Sequence, residues 1–473
     1  MKIKQINFTN HVLFGNTSID FTDESGKVLN TILICGENGS GKTKLLECLY
    51  NLFKIPPQNY EVVLILENDD LIKIRNNILL SNNKDYQNQI IDNINDEILV
   101  KKASDGNYWT IDFNNGLKQS YGFGWDPNSN NHPLQFYLCN IVFKIKKNDK
   151  EPNIQTVSTV TKLTLDEKEV DSNSQYFAGD LNITQLLVDL QAQDADEFLN
   201  NSEGKTLITE IKYGERVKRL KEAFNKFFSG SIRLDKVRNF DINFENNGGK
   251  NFDITGLSSG EKSIIQYGGF FLKNQKLDEI MISFLDEPEQ SLHPLWEEKI
   301  LSFYQDVLTL DNKQKSQLFC ITHSEHVVKN ALQIGCLILI MNRKSDGSFG
   351  IKKTSQMSTF PFSPTYSEIK YNAFNLTTNE FHEELYGYLA ERERCGVRDL
   401  DAFFMNNHCL RKPWIGKKIS ESGSVVHHAR NDTFSLCSYI RNYTHHPELR
   451  DADNPSYSPC ELRKSIEYML SLL

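Results

Sequence analysis

The residues Gly36-Glu37-Asn38-Gly39-Ser40-Gly41-Lys42-Thr43 combine three glycines, a lysine and a hydroxyl at the spacing phosphate chemistry needs. Small residues let backbone N–H groups close around nucleotide phosphates, and the start of a following helix adds partial positive charge. Lys42 is placed to reach the β- and γ-phosphates, and the Thr43 hydroxyl to sit on Mg²⁺. The flanks supply the right context. Ile32-Leu33-Ile34-Cys35 reads as a strand and Leu45-Leu46-Glu47-Cys48-Leu49 as a helix, so the loop lies at a strand-to-helix turn.

A second cluster begins with Gly256-Leu257-Ser258-Ser259-Gly260-Glu261-Lys262 and continues through a helical stretch into Ile280-Met281-Ile282-Ser283-Phe284-Leu285, which ends in Asp286-Glu287. That nearly unbroken apolar run suits a central parallel strand buried on both faces, with the acidic pair at its C-terminal end, where α/β sheets bind ligands. One carboxylate can hold Mg²⁺ while its neighbour orients or deprotonates an attacking water. Ser291-Leu292-His293-Pro294 follows. A further short strand, Leu318-Phe319-Cys320-Ile321-Thr322, ends at His323. Singly, a Ser-Ser-Gly is a turn, an Asp-Glu a solvated pair and a histidine a surface residue. Their shared order and their placement at one sheet edge are what a nucleotide site requires.

The elements that hold these residues fit into 473 residues, enough for two or three domains. Strands are expected at Ile3 to Phe8, Thr17 to Phe21, Glu61 to Leu66 and Phe136 to Ile145, and helices at Thr184 to Phe198 and Lys205 to Phe228. No heptad pattern is sustained. The net charge of −9 excludes a general positive coat for wrapping nucleic acid, so any such contact needs a local patch. Nine scattered cysteines without a Cys-x-x-Cys, and the lack of a signal-like start or a membrane-length apolar run, predict a cytoplasmic protein with reduced thiols and no membrane partner.

The series resembles an ABC-type ATPase head of the SMC-like and RecF-like class, in the compact "AAA family" form found beside phage-defence genes. By motif match, Gly36 to Thr43 corresponds to the Walker A loop, with Gly36, Asn38, Gly39, Ser40, Gly41, Lys42 and Thr43 at the nucleotide. Leu257 to Glu261 corresponds to the ABC signature, Phe284 to Glu287 to the end of the Walker B strand, Ser291 to Pro294 to the D-loop and His323 to the switch histidine. The resemblance implies ATP and Mg²⁺ as cofactors and a homodimer, or a higher oligomer built on it, in which two heads sandwich two ATP molecules. Ser258, Ser259, Gly260 and Glu261 would then cap the γ-phosphate of the opposing copy. Thr43 and Asp286 would hold Mg²⁺, Glu287 would be the general base and His323 the γ-phosphate sensor. Three features depart from the pattern. Ser259 replaces a glycine of the transporter form, Asn10-His11-Val12 offers only His11 where relatives carry a basic residue near the phosphates, and Gln119 and Gln135 both compete for the Q-loop position.

Past Gly350 about one small domain remains. Helices are expected around Glu380 to Leu389 and Cys460 to Leu470, with Arg411, Lys412, Lys417, Lys418 and Trp414 between them as a local anion patch. There, Tyr439-Ile440-Arg441-Asn442-Tyr443-Thr444-His445-His446 sets Arg441 five positions before His446, and on a helix puts His445 one turn from Arg441. Such a pair suits metal-free RNA cleavage: histidine moves a proton and arginine stabilises charge at phosphorus. The pattern resembles the HEPN ribonuclease motif. A helical dimerisation domain with a carboxylate-binding Arg-His pair is the alternative, and a third reading takes His427, His428, Cys437, His445 and Cys460 as metal ligands, although their spacing fits no familiar zinc pattern.

The expected fold is therefore an α/β ABC-type P-loop ATPase head with an α+β insertion, followed by a helical C-terminal domain: residues 1–355 (insertion 54–250) and 356–473. The expected function is an ATP-binding and hydrolysing defence protein whose head dimer gates a HEPN-like ribonuclease acting on RNA, with tRNA as the class the resemblance suggests. The alternatives are a sensor or scaffold ATPase controlling a separately encoded toxin or nuclease in response to a phage-derived trigger, and a RecF-like DNA-repair ATPase.

Overall fold

The computed structural model describes residues 2–51, 61–67, 71–75, 78–81, 98–102, 108–113, 118–122, 178–201, 215–238, 241–274, 281–290, 292–314, 316–344, 346–419, 425–450 and 454–473. The chain forms two compact units, Met1–Lys352 and Lys353–Leu473.

The first unit is organised on a five-stranded sheet in the order β13-β16-β3-β17-β18, where β3 is Thr31–Cys35, β13 Met281–Asp286, β16 Ser316–Thr322, β17 Leu337–Arg343 and β18 Phe349–Lys353. The pairs β13/β16, β16/β3 and β3/β17 are parallel. Every residue of β3 and β16 is buried, which is why both read as continuous apolar runs rather than alternating ones. Register is what matters for function. Thr322 lies opposite Cys35, and Asp286 opposite Ile321. Three strands therefore end together, and the end of β16 falls between the loop after β3 and the acidic end of β13. Helix α1 (Lys42–Asn51) leaves that loop and buries Leu45, Leu46 and Leu49 in the core with Ile32, Ile34, Phe284, Phe319 and Ile321.

A second sheet begins with β1 (Ile3–His11) and β2 (Gly15–Asp20) and is extended by β4 (Glu61–Leu66), β5 (Leu71–Arg75), β6 (Ile78–Ser81), β7 (Ile98–Lys102), β8 (Tyr108–Phe113) and β9 (Lys118–Gly122). Its order is β2-β1-β4-β5-β6-β7-β8-β9, an antiparallel meander beyond β4. Much of the insertion thus continues the N-terminal sheet. The strand expected at Phe136 to Ile145 lies outside the described residues.

Helix α2 (Ala178–Asn201) contains the helix expected at Thr184 to Phe198. Helix α3 (Glu215–Phe227) is the described part of the one expected at Lys205 to Phe228. A buried ion pair of Arg216 with Asp194, 3.2 Å, ties the two together. Both pack on α4 (Ser259–Asn274), where Gly268 and Gly269 admit Phe303, Leu220 and Leu186 at distances a Cβ would block. The aromatic end of α3 is buried: Phe227 meets Phe303 edge to face at 5.5 Å, and Phe228 meets Trp296 likewise at 5.0 Å. A three-stranded antiparallel sheet, β10 (Ile232–Arg238), β11 (Asp241–Asn246) and β12 (Asn251–Phe252), leads into α4. The short helix α5 (Pro294–Glu297), α6 (Ile300–Leu308), the hairpin β14–β15 (Thr309–Leu310, Lys313–Gln314) and α7 (Glu325–Gln333) complete the unit.

The second unit is built from α8 (Tyr366–Phe374), α9 (Asn379–Arg392), α10 (Val397–Asn406), α11 (Leu436–His445) and α12 (Pro459–Ser471) around Phe381, Leu385, Leu389, Phe404, Ile440, Ile466 and Met469. Capping boxes at Thr365/Glu368 and Ser458/Glu461 start α8 and α12. The unit also carries an antiparallel hairpin, β19 (Arg411–Ile419) with β20 (Val425–Ser435). The basic residues of the expected anion patch, Arg411, Lys412, Lys417 and Lys418, lie on β19. Trp414 is buried against Tyr439, and Lys412 bonds Glu461 at 2.8 Å.

Candidate functional site

The loop from Gly36 to Thr43 must turn sharply between a buried strand and a buried helix face, and its glycines make that possible. Gly36 has φ +153°, and a Cβ there would lie 2.2 Å from the Met341 carbonyl oxygen; Gly41, at φ +89°, would meet the Phe349 ring at 2.7 Å. Ser40 N–H donates to Glu37 O and Leu45 N–H to Gly41 O, closing the loop onto α1. The Lys42 amine is buried inside the turn, donating to Gly36 O (2.8 Å), Glu37 O (2.9 Å) and Ser40 Oγ (3.3 Å), with His323 Nδ1 3.5 Å away. Burial pulls its pKa down to about 8, against the charges of Glu287, Asp286 and Glu289.

Thr43 Oγ1 donates to Asp286 Oδ2 at 3.3 Å. This hydroxyl and carboxylate are hard oxygen donors set beside a phosphate cradle, a donor set that fits Mg²⁺ bound together with a nucleotide. Beyond Asp286 the chain reverses. Glu287 adopts a left-handed φ of +49°, donates its N–H to Ile321 O and so turns its side chain toward the end of β16. Glu287 Oε1 lies 3.0 Å from His323 Nε2, and Oε2 accepts from Gln290 at 2.6 Å. His323 thus stands between Lys42, nearest Nδ1, and Glu287, at Nε2. Burial and the Lys42 charge lower its pKa, against the Glu287 charge and a hydrogen bond to the Gly36 backbone.

The Ser258–Gly260 turn caps α4. Ser258 N–H donates to Glu261 Oε2 (2.7 Å), Glu261 N–H to Ser258 Oγ (3.4 Å), and Ser263 Oγ to Ser259 O. These bonds run to the first turn of α4, and Ser258 and Ser259 are exposed. His293 caps α5, its Nδ1 accepting Leu295 N–H at 3.2 Å; Ser291 lies outside the described residues.

His11 does not supply the missing cation. Its Nδ1 accepts the N–H groups of Leu13 (3.0 Å) and Phe14 (3.1 Å), its ring packs on Phe8 and Phe14, and burial lowers its pKa to about 4. An acceptor nitrogen in an aromatic pocket is neutral. Gln119 lies on β9, Gln135 outside the described residues.

In the second unit Arg441 lies within α11 and His445 and His446 at its C-terminal end, each beside an oxygen acceptor. Arg441 Nη1 donates to Asn442 Oδ1 (3.3 Å), His445 Nε2 faces Glu383 Oε2 (2.9 Å), and His446 Nδ1, at the C-cap, faces Glu448 Oε1 (3.1 Å). Arg450 Nε and Nη2 donate to the Tyr443 and Thr444 carbonyls, closing the helix end. The motif reading singled out neither Glu383 nor Arg450, because both lie distant in sequence or outside the Arg-His spacing. Of the residues of the zinc reading, Cys437 is buried against Cys409 and Ser465, whereas His445 holds Glu383; the side chains of His427 and His428 lie outside what is described. Among the described residues no group of three or more His, Cys, Asp or Glu could hold a metal ion.

Fold and site together define an ABC-type P-loop ATPase head. The family described as "AAA domain, putative AbiEii toxin, Type IV TA system" matches residues 32–329, well over half of the chain, and the chain belongs to that family. Solved structures similar to it include an Smc head bound to the C-terminal winged-helix domain of ScpA (16% identity, 75% of this chain and 97% of that one, TM-score 0.38). An SMC head domain from Thermotoga maritima is similar at 15% identity, over 75% and 99% of the two chains (TM-score 0.35). An Smc head with an extended coiled coil, bound to the C-terminal domain of ScpA derived from Pyrococcus furiosus, matches at 16% identity over 74% and 96% (TM-score 0.33). No curated protein matches. Among the described residues no helix is long and apolar enough to cross a membrane.

Proposed function

We propose that this chain is an ATP hydrolase that works as a pair of heads and gates a ribonuclease in its C-terminal unit. One observation carries the reading: Lys42, Thr43, Asp286, Glu287 and His323 meet at one sheet edge, while Ser258 and Ser259 stand exposed at the start of α4.

In this reading the loop from Gly36 to Thr43, through Asn38, Gly39, Ser40 and Gly41, cradles the phosphates, and Lys42 swings from the loop carbonyls to the β- and γ-oxygens. Thr43 and Asp286 would hold Mg²⁺, which would supply positive charge to offset that of the phosphates. Glu287 takes the proton of the attacking water, and His323, beside Glu287 at Nε2, responds to the γ-phosphate. Ser258, Ser259, Gly260 and Glu261 of the opposing copy complete the site from the helix start that bears them. ATP thus pairs two heads, and with them residues 1–355 and 356–473 of two copies.

The end of α11 supports a metal-independent endoribonuclease of the HEPN-like kind. Arg441 stands one turn before His445, and a histidine pair next to carboxylates can take the 2′-hydroxyl proton and return one to the leaving oxygen. Pairing two C-terminal units brings two such sets together. The family's description, which includes a putative toxin, supports a defence setting; RNA, tRNA foremost, is the substrate this reading takes from the Arg-His pair and its resemblance to the HEPN motif.

The test compares the intact chain with an Arg441→Ala/His446→Ala variant in bacteria, with and without phage, by sequencing new RNA ends. New ends from the intact chain alone, lost in the variant while ATPase activity persists, are expected. Protection that survives the substitutions without new ends overturns the ribonuclease and leaves an ATPase controlling an effector encoded elsewhere.

A further inference from the structure

The turn after β13 carries a second carboxylate to which the hydrolysis scheme gives no task. Glu289 folds back onto the end of β16, where Oε1 accepts from Thr322 Oγ1 at 2.6 Å and from the His323 backbone N–H at 2.9 Å. Its Oε2 is buried without a hydrogen-bond partner among the described residues. Thr322 Oγ1 in turn accepts the Ser324 N–H at 2.9 Å, and Ser324 caps α7. Thr322 is the last residue of β16 paired with β3, so the N–H of His323 is the first beyond the described ladder. Glu289 supplies the acceptor for that N–H.

We infer that Glu289 is a positioning residue for hydrolysis: it fixes the His323 backbone so that the ring spans Lys42 and Glu287. The geometry requires some such anchor. The ring is held at Nε2 by Glu287, a side chain about one-third exposed on a left-handed turn, with Lys42 3.5 Å from Nδ1 and a hydrogen bond to the Gly36 backbone. These ring contacts do not restrain the backbone from which the ring projects. Two short bonds from one carboxylate oxygen do, and they come from the same turn that places Glu287. Both partners of the Glu287–His323 pair are therefore set by one four-residue segment, Asp286 to Glu289. The surroundings are consistent with a structural clamp rather than a proton carrier exposed to solvent: Oε2 is sealed from water, and burial raises the carboxyl to about 7.

The inference rests on the ATP-hydrolase reading, and the experiment separates the two. Steady-state MgATP hydrolysis and MgATP binding are measured for the full chain and for Glu289→Ala, Glu289→Asp and Glu289→Gln, each alone and with His323→Ala. An intact chain without ATPase activity sinks the functional reading itself. With an active parent, Glu289→Ala and Glu289→Asp, which lose the acceptor or its reach, are expected to lower kcat about tenfold or more with MgATP affinity within about twofold. Glu289→Gln keeps an oxygen that accepts both bonds and is expected to restore kcat to within about threefold of the parent. In the His323→Ala background Glu289→Ala is expected to cost no more than about twofold further, because the two act as a unit. The inference is overturned if Glu289→Ala keeps the parental kcat, if Glu289→Gln is as impaired as Glu289→Ala, or if the loss is undiminished without His323. Should Glu289→Ala not fold, Glu289→Asp and Glu289→Gln decide between the same outcomes.

Discussion

Lys42→Met separates what the lysine does for the fold from what it does for the nucleotide. The methionine fills the same space without charge. At neutral pH the folded protein holds the ammonium against a pKa lowered from 10.5 to about 8 by burial. At 1.36 kcal/mol per unit that costs about 3 kcal/mol, in full below pH 8 and relieved as pH rises from 8 toward 10.5, where the unfolded chain also loses the proton. Removing the amine abolishes this cost but breaks its bonds to Gly36 O and Glu37 O, each worth about 1.5–3 kcal/mol for a charged donor. The terms largely offset, so without nucleotide the variant is expected within about 2 kcal/mol of the parent. With MgATP the difference is large. A ligand at a hundred times its Kd stabilises by about 2.7 kcal/mol, and the variant is expected to lose nearly all of this. Thermal unfolding with and without MgATP reads both effects. A variant that keeps the MgATP shift, or that loses far more than about 3 kcal/mol without nucleotide, refutes the reasoning.

Glu287→Gln is expected to bind MgATP with near-parental affinity while turnover falls by about 10²–10⁴; unchanged turnover removes Glu287 from the base role. Gly36→Ala drives a methyl into the Met341 carbonyl, 2.2 Å away, and is expected to destabilise the nucleotide-free protein by about 1–3 kcal/mol and abolish its MgATP shift in thermal unfolding, so a normal shift contradicts the cradle geometry. His382 is fully buried, bonds Ser465 through Nε2, and has its pKa lowered to about 3 by burial, despite Glu383 3.9 Å from Nδ1. The unfolded chain takes that proton below pH 6.5 and the folded chain does not, so stability is expected to fall by about 2 kcal/mol from pH 6.5 to pH 5 on this account. Denaturant titrations of His382→Gln across that range are expected to lack this component, and an unchanged pH slope contradicts it.

Much of the head could be read from its residues because the chemistry and the fold make the same demands there. Gly36 and Gly41 stand where a side chain would strike Met341 or Phe349, and the apolar runs of β3 and β13 mark strands covered on both faces. Side-chain direction was harder to read. Glu289 follows a proline in a polar stretch, and nothing in the spacing says that the left-handed Glu287 returns it to Thr322. His11 looked like a cation because only its type was visible, whereas two neighbouring N–H groups make it an acceptor. In the second unit the order of residues did not say that Trp414 turns inward and that Lys412 reaches Glu461, contacts that depend on helices far along the chain.

The proposal that two copies share each ATP site is tested most directly by mixing two inactive chains, Lys42→Met and Ser259→Arg. In a mixed pair one site joins both lesions and the other unites an intact phosphate loop with an intact signature turn. Random pairing of equal amounts then leaves about a quarter of the parental ATPase activity. Recovery near that level is expected. A mixture as inert as its components, or a Ser259→Arg chain active alone, contradicts a site completed by a second copy.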